Sequence, residues 1–192
     1  MKSKIAIIYG SVRTKRQGIK GVKYLADKCR ERGLEVLIVD PLEFNLPLID
    51  KMYKEYKNDE APENLKKLSQ IFSSVDGFIV VSGEYNHSIP PALTNLMDYF
   101  QSEYYFKPSA IACYSAGAYG GVRAAMQLRM FLSELGTPSI PTLFVMPKIG
   151  QSFDSEGRVL DESYEKRVKK FFDEFEWYLK AFKSSRESGT PY

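Results

Sequence analysis

Short apolar runs alternate with amphipathic helical patterns along the whole chain. Continuous apolar runs of this length are typical of strands that are buried on both faces of a sheet. We therefore predict five strands, at residues 5–9, 34–39, 78–81, 109–114 and 142–146. Between and after these runs, apolar residues recur at helical spacing, which predicts helices at residues 19–32, 62–75, 91–100, 122–135 and 161–182.

The alternation of strand and helix predicts the fold class. Strands that alternate with helices pair in parallel through right-handed crossovers, which gives an α/β fold with a three-layer, doubly wound sheet. We expect five parallel strands in the order 2-1-3-4-5, in one domain over residues 1–183. A polar, frayed tail is expected at residues 184–192. Residues 42–57 and 148–157 show no clear periodicity and are predicted to be surface connections.

Composition excludes several kinds of function. The 27 basic and 24 acidic residues leave a net charge of +3, which is too balanced to indicate a nucleic-acid partner. Because His87 is the single histidine, a histidine-rich zinc or iron site is excluded. Cys29 and Cys113 are interpreted as free thiols of a reducing compartment. Since no long apolar segment is found, we expect no signal peptide, no membrane span and a cytoplasmic location.

The loop after the first strand has the composition of an anion site. Gly10 ends the strand, the next seven residues are polar or basic except Val12, and a helix follows from Gly18. Free backbone N–H groups and the positive end of a helix dipole favour a phosphate at such a turn. The side-chain donors of this loop belong to Ser11, Arg13, Thr14, Lys15, Arg16 and Gln17. A solvated basic loop is the alternative interpretation.

Two further loops are expected to lie beside the first. In the strand order 2-1-3-4-5, the loops after strands one, three and four meet at the carboxyl edge, next to the switch point of the sheet. The loop after strand three supplies Tyr85, which can lie against an aromatic ring. The loop after strand four contains Gly117, Gly120 and Gly121, which allow the backbone to approach a ring closely because no side chain intervenes.

Other nucleotide and hydrolase motifs fit these loops less well. The pattern G-x-G-x-x-G is missing after the first strand, although Asp40 ends the second strand where a ribose-binding acid would lie. No G-K-S/T follows Gly10, which excludes a Walker A loop and leaves a terminal phosphomonoester as the favoured ligand group. Residues Cys113 to Gly117 are similar to a nucleophile elbow, but a serine hydrolase of that fold needs a histidine after the nucleophile, and His87 precedes it.

Together, the three loops resemble those of the NADPH-dependent FMN reductase family, which has a flavodoxin-like fold and includes quinone and azo-dye reductases. The resemblance covers residues 4–147. It rests on Gly10-Ser11-Val12-Arg13 with Arg16-Gln17-Gly18, on Gly83-Glu84-Tyr85-Asn86-His87-Ser88-Ile89-Pro90, and on Tyr114-Ser115-Ala116-Gly117 with Gly120-Gly121. Two stretches depart from the family pattern: Gly83 replaces a common proline, and Thr14-Lys15-Arg16 replaces a stretch that often contains serine.

The resemblance implies an FMN site at these loops. It implies that the phosphate is held by Ser11, Arg13 and Gln17, with Arg16 joining them. It also implies that the isoalloxazine is bordered by Glu84, Tyr85, Asn86 and His87, and flanked at its other edge by Ser115 and Gly117, with Gly120 and Gly121 nearby.

The family further implies an oxidoreductase that passes hydride from NAD(P)H through FMN to a quinone, flavin, azo compound or similar acceptor. Because the flavin carries the chemistry, no indispensable acid–base residue is expected, and His87 is either a proton donor or a structural loop residue. A flavodoxin-like electron carrier and a Rossmann-type nucleotide-binding module are the alternative functions.

The helix at residues 122–135 is apolar on more than one face. This pattern indicates either a homodimer or homotetramer contact or burial within the monomer.

Overall fold

A computed structural model describes residues 2–57 and 60–192 of the chain. Its centre is a five-stranded, all-parallel sheet in the order β2-β1-β3-β4-β5, which confirms the predicted α/β class, strand number and strand order. The strands are β1 Lys4–Tyr9, β2 Glu35–Val39, β3 Gly77–Ser82, β4 Ser109–Tyr114 and β5 Ser139–Met146. The three central strands are almost wholly buried, as their continuous apolar runs predict.

Helices cover both faces of the sheet. The α-helices are α1 Gly18–Glu31, α2 Pro41–Phe44, α3 Glu63–Ser74, α4 Pro91–Asp98, α5 Val122–Glu134, α6 Ile149–Ser152 and α7 Ser163–Glu187. Two short 3₁₀ helices lie at Tyr53–Glu55 and Ser102–Tyr104. Within the part of the chain described, no helix is both long enough and apolar enough to cross a bilayer.

The core is divided into two layers by the sheet. On one face, alternate residues of the central strands pack against α1 and α7; Ile5, Ile7 and Tyr9 of β1 lie there. On the other face, Ala6 and Ile8 of β1 pack with α3, α4 and α5. This alternation follows from the period of two along a strand, and it produces the expected three layers. Cys29 and Cys113 are buried free thiols, one in each layer.

The observed elements differ from the sequence-based prediction most clearly at β5, α6 and α7. Strand β5 begins at Ser139, and the short helix α6 lies in the predicted connection at residues 148–157. Helix α7 continues to Glu187, beyond the predicted end near residue 182, because Lys183 and Arg186 both pair with Asp76 at the amino edge of the sheet. The end of the predicted frayed tail also has a contact: the ring of Tyr192 packs against the rings of Tyr105 and Phe106.

The side chain of a buried lysine caps the C-terminal end of helix α3. The ammonium group of Lys107 donates to the carbonyl oxygens of Phe72 (2.6 Å) and Ser73 (3.0 Å) in the last turn of α3, and to the carbonyl oxygen of Glu103 (3.0 Å). Its three donors are therefore all used, and two otherwise unpaired helix carbonyls are satisfied. Burial lowers the pKa of Lys107 to about 8, so that the ammonium form still predominates at neutral pH.

We predict that Lys107→Met lowers the free energy of unfolding by about 2–4 kcal/mol, because three backbone carbonyls lose a charged donor. The measurement is urea unfolding at neutral pH, with Lys180→Met on the exposed side of α7 as the control. Equal stability of the two variants would contradict the role given to the Lys107 ammonium.

Candidate functional site

The loops that follow β1, β3 and β4 line one cavity of about 700 Å³ at the carboxyl edge of the sheet. Such a volume lies within the range of small-molecule and cofactor sites. The lining residues are Ser11, Val12, Arg13, Thr14, Lys15, Arg16, Gln17, Gly83, Glu84, Tyr85, Tyr114, Ser115, Ala116 and Ile149. Three loops widely separated in sequence therefore form one site, as the strand order predicts.

Strand register explains why the three loops meet. Tyr9 of β1 is paired with Val81 of β3, and Ser82 of β3 is paired with Cys113 of β4. The three strands consequently end at nearly the same height. The N–H of Gly10 then donates to the carbonyl oxygen of Val81 (3.0 Å), which continues the pairing into the first loop.

The first loop is a compact turn with free donors. The N–H of Arg16 donates to the carbonyl oxygen of Arg13 (3.2 Å), while the N–H of Arg13 donates to the Ser11 Oγ (3.4 Å). Ser11 is buried, whereas the side chains of Arg13 and Lys15 are exposed and form no ion pair with any other described residue. The backbone N–H of Thr14 likewise donates to no described group. This end of the cavity therefore offers unpaired cationic and N–H donors to an anion.

Arg16 lines the cavity, but its guanidinium group is engaged elsewhere. Nη1 and Nη2 donate to the two carboxylate oxygens of Asp40, each at 2.5 Å, and Nη1 also donates to the carbonyl oxygen of Ser11 (3.0 Å). Asp40 in turn accepts from the N–H of Leu42 (3.0 Å) and so caps the short helix α2. The bidentate pair fixes the first loop to the end of β2.

Arg16 and Asp40 were both considered as ligand-binding residues from the sequence. Arg16 was expected to join the phosphate donors; it lines the cavity, and three of its five N–H donors serve Asp40 and the loop backbone. Asp40 was considered as a ribose-binding acid, but it does not line the cavity, and its two oxygens accept from Arg16 and Leu42. Both side chains hold the first loop to the end of β2, and the role of Arg16 at a phosphate stays a prediction.

The second loop contains a tight turn next to the cavity. Tyr85 and Ser88 exchange two backbone hydrogen bonds, of 3.0 and 2.8 Å, around Asn86 and His87. Asn86 and His87 have positive φ angles of 50° and 64°, the combination found in a type I′ turn. Both residues are exposed and lie outside the cavity lining, whereas Tyr85 lines the cavity.

The carboxylate of Glu84 joins the second loop to the third. Its Oε2 accepts from the N–H groups of Arg123 (3.0 Å) and Ala124 (3.2 Å), the first residues of α5, and a carboxylate at this position also interacts favourably with the helix dipole. Gln127, one turn further along, donates to the carbonyl oxygen of His87 (2.9 Å) and accepts from the Ser88 hydroxyl (2.7 Å). The Tyr85 turn is therefore held against α5.

The third loop reaches the cavity through Ser115 and Ala116. Gly117 faces open space, since a Cβ atom built there would meet no atom within 4 Å. Gly120 and Gly121 do not line the cavity; they have positive φ angles of 63° and 82° and form the turn into α5. A Cβ atom at Gly121 would lie 2.7 Å from the carbonyl oxygen of Tyr114, so that only glycine fits this turn.

Several lining residues were not identified from the sequence as part of the site. Tyr114 was treated as the end of a strand, and its position between Gly18 and Gly83 depends on the packing of α1 against the sheet. Ile149 lies in α6, a helix that the sequence pattern did not indicate. Its N–H donates to the carbonyl oxygen of Ser115 (3.1 Å), which places this helix beside the third loop.

The fold and the cavity together define a doubly wound α/β protein with a ligand site at its switch point. Residues 3–151 match the model of a protein family described as NADPH-dependent FMN reductase. Because this match covers most of the chain, the protein belongs to the NADPH-dependent FMN reductase family.

Comparison with individual proteins supports the assignment to this family. The chain is 34% identical over 154 residues to an NAD(P)H-dependent FMN reductase of a Nectria species, with 76% of this chain and 75% of that protein covered. It is 26% identical over 186 residues to a 2-hydroxy-1,4-benzoquinone reductase of a Burkholderia species, with 91% and 95% covered. FerB, a flavoenzyme NAD(P)H:(acceptor) oxidoreductase from Paracoccus denitrificans, has a similar structure, with a TM-score of 0.78 at 25% identity and 94% and 98% covered.

These findings confirm the predicted flavodoxin-like fold and the predicted class of activity. The protein is an oxidoreductase of the FMN-dependent type that uses NAD(P)H as co-substrate.

Proposed function

We propose that the 700 Å³ cavity is the FMN site of this protein, at which NAD(P)H is oxidised and a quinone, flavin, azo compound or similar small molecule is reduced. The observation that carries this proposal is the convergence of a cationic loop, a tyrosine-bearing turn and a glycine-containing loop on one cavity at the switch point. We also propose that the protein acts in the cytoplasm.

The first loop fits the phosphate of FMN. Ser11 supplies a hydroxyl, Arg13 a guanidinium group without a carboxylate partner among the described residues, and Gln17 an amide. The free N–H groups at the start of α1 add donors of fixed direction. Hydrogen bonds to a charged group are worth about 1.5–3 kcal/mol each, so a few of them suffice for micromolar affinity. Arg16 supports this site by holding the loop to Asp40.

The second and third loops fit the planar ring. The side chain of Tyr85 borders the cavity and can stack on an aromatic system. Ser115 and Ala116 of the third loop also line the cavity, and Gly117, next to them in the chain, faces open space. We assign to Glu84 the task of fixing this geometry, because its carboxylate accepts from the first N–H groups of α5.

Bound FMN would accept a hydride from NAD(P)H and deliver the electrons to the second substrate. The residues of the three loops would bind and orient the ring. His87 and Asn86 border this region through their turn, with exposed side chains outside the cavity lining. We therefore assign proton transfer to none of the side chains.

We further propose that two copies of the chain associate through α5. Met126 and Met130 lie one turn apart on this helix and are 47% and 69% exposed, while Leu128 and Leu132 of the same helix are fully buried. Methionine is common at protein contacts because its side chain adapts to irregular surfaces. Since α5 begins at the third loop, such a contact would lie next to the cavity.

The first test is flavin binding and reduction. We expect the purified full-length protein to bind FMN, to release it on denaturation, and to lose its visible flavin absorbance when NAD(P)H is added without oxygen. Free FMN mixed with NAD(P)H at the same concentrations is the control. Bound FMN that NAD(P)H does not reduce would instead support an electron carrier, and the absence of FMN binding would overturn the proposal.

The second test concerns the phosphate end. We expect Arg13→Ala to weaken FMN binding by about 1.5–3 kcal/mol, since one charged hydrogen-bond donor is lost, and to leave riboflavin binding unchanged. Fluorescence titration measures both ligands, and Arg30→Ala, which removes an exposed arginine of α1 paired with Asp27, is the matched control. An unchanged affinity for FMN would remove Arg13 from the proposed site.

The third test concerns the assembly. We expect the wild-type chain to sediment as a dimer or tetramer and the double variant Met126→Lys, Met130→Lys to shift toward the monomer, because charges would be buried at the contact. Leu48→Lys, at an 84% exposed apolar side chain outside α5, is the control and should retain the wild-type mass. A double variant with wild-type mass would show that α5 does not form the contact.

A further inference from the structure

The Tyr85 turn, which comprises residues 85–88, has an unfavourable backbone conformation at its centre. Asn86 and His87 have φ angles of 50° and 64°, which lie in the left-handed region. Residues with a Cβ atom adopt this region at a cost, and they stay there where surrounding contacts hold them. The two backbone hydrogen bonds between Tyr85 and Ser88 close the turn, but they do not fix its position relative to the cavity. That position depends on contacts from outside the turn.

Gln127 of α5 makes two such contacts with one amide group. Its Nε2 donates to the carbonyl oxygen of His87 (2.9 Å), and its Oε1 accepts from the hydroxyl of Ser88 (2.7 Å). A glutamine amide carries a donor and an acceptor side by side, and both are used here. A glutamate would have no donor for the carbonyl oxygen of His87, and a methionine would make neither bond. The two contacts together therefore require an amide side chain.

Glu84 attaches the other side of Tyr85 to the same helix. Its carboxylate accepts from the N–H groups of Arg123 (3.0 Å) and Ala124 (3.2 Å), one turn before Gln127. Tyr85 thus lies between two points at which the second loop is fixed to α5. The helix is a firm support, because Leu128 of α5 is fully buried in the core. The position of the Tyr85 ring is consequently set by α5.

Gln127 can reach a ligand only through this turn. Tyr85 is half-buried and lines the cavity, whereas no residue of α5 belongs to the described part of the lining. The amide group of Gln127 is also occupied by its two bonds to the turn. Any effect of Gln127 on binding would therefore be exerted through the residues that it holds.

We propose that Gln127 and Ser88 are positioning residues that hold the ring of Tyr85 in place for stacking on the isoalloxazine of FMN. This inference rests on the proposed FMN site. Aromatic rings attract one another only in suitable offset or edge arrangements, so a tyrosine that is held in position binds better than a mobile one. FMN and riboflavin share the same ring and differ by the phosphate. A contact at the ring should accordingly affect both flavins by the same factor.

The first test measures the affinity for both flavins. Dissociation constants of FMN and riboflavin are determined by titration for the full chain freed of bound flavin, for Gln127→Met and for Ser88→Ala. We expect Gln127→Met to weaken the binding of both flavins by about threefold to tenfold, because the Tyr85 turn loses two hydrogen bonds. Ser88→Ala removes one of these bonds and should cause a smaller loss in the same direction.

The second test measures the fluorescence of the bound flavin. A tyrosine ring stacked on a flavin quenches the flavin emission, so bound FMN should be brighter in Gln127→Met than in the wild-type chain. Tyr85→Leu removes the ring altogether. Adding Gln127→Met to this variant should cause no further loss of affinity, because the effect of Gln127 passes through Tyr85.

Gln70→Met is the matched control. Gln70 is an exposed glutamine of α3 and lies outside the cavity lining, so its replacement should leave both affinities and the emission unchanged. Ser88→Ala gives the result even where Gln127→Met fails to fold, because Ser88 lies in a loop and loses only its hydroxyl.

Three outcomes would overturn the inference while leaving the FMN site in place. The first is unchanged flavin affinity or unchanged emission in a folded Gln127→Met variant, which would make the amide merely structural. The second is a greater loss for FMN than for riboflavin, which would place the effect at the phosphate. The third is a full additional loss when Gln127→Met is added to Tyr85→Leu. Absence of FMN binding by the wild-type chain would instead overturn the proposed function itself.

Discussion

The parallel pairing of β1, β3 and β4 is the constraint on which the site depends. Three adjacent parallel strands must end at the same edge of the sheet, and their register brings Tyr9, Val81 and Cys113 to nearly the same height. The loops that follow are then neighbours in space although more than a hundred residues separate the first from the last. A ligand cavity at this edge follows from the order in which the chain adds its strands.

Polar side chains at this edge divide into those that hold the loops and those that are left for a ligand. Arg16 and Asp40 bind each other, and Glu84 caps α5, so that each loop is attached to a helix or strand other than its own. Arg13 and Lys15 have no such partner among the described residues. A rigid frame with a few unpaired donors costs less to order on binding than a set of free side chains.

Glycines at the carboxyl edge of the sheet have two distinct structural roles. Gly120 and Gly121 adopt positive φ angles and turn the chain into α5. Gly18 and Gly83 instead leave space for the ring of Tyr114, whose hydroxyl donates to the hydroxyl of Tyr9. The absence of a side chain at two positions thus lets a phenol line the cavity.

The sequence by itself determined the five strands, the main helices, their parallel order and the three loops at one edge. These features depend on local periodicity and on turn residues such as Gly33, which has the positive φ angle (77°) expected after a helix end. Only the tertiary structure decided which polar groups are partners: Arg16 and Asp40 are 24 residues apart, and Glu84 lies 39 residues before Arg123. Hydrogen bonds form between groups that are close in space, and the spacing of residues along the chain does not specify which groups these are. For the same reason, the sequence predicted that the three loops are neighbours, but it could not distinguish the loop residues that line the cavity from the others. Gly120 and Gly121, for example, form the turn beside the cavity and do not line it.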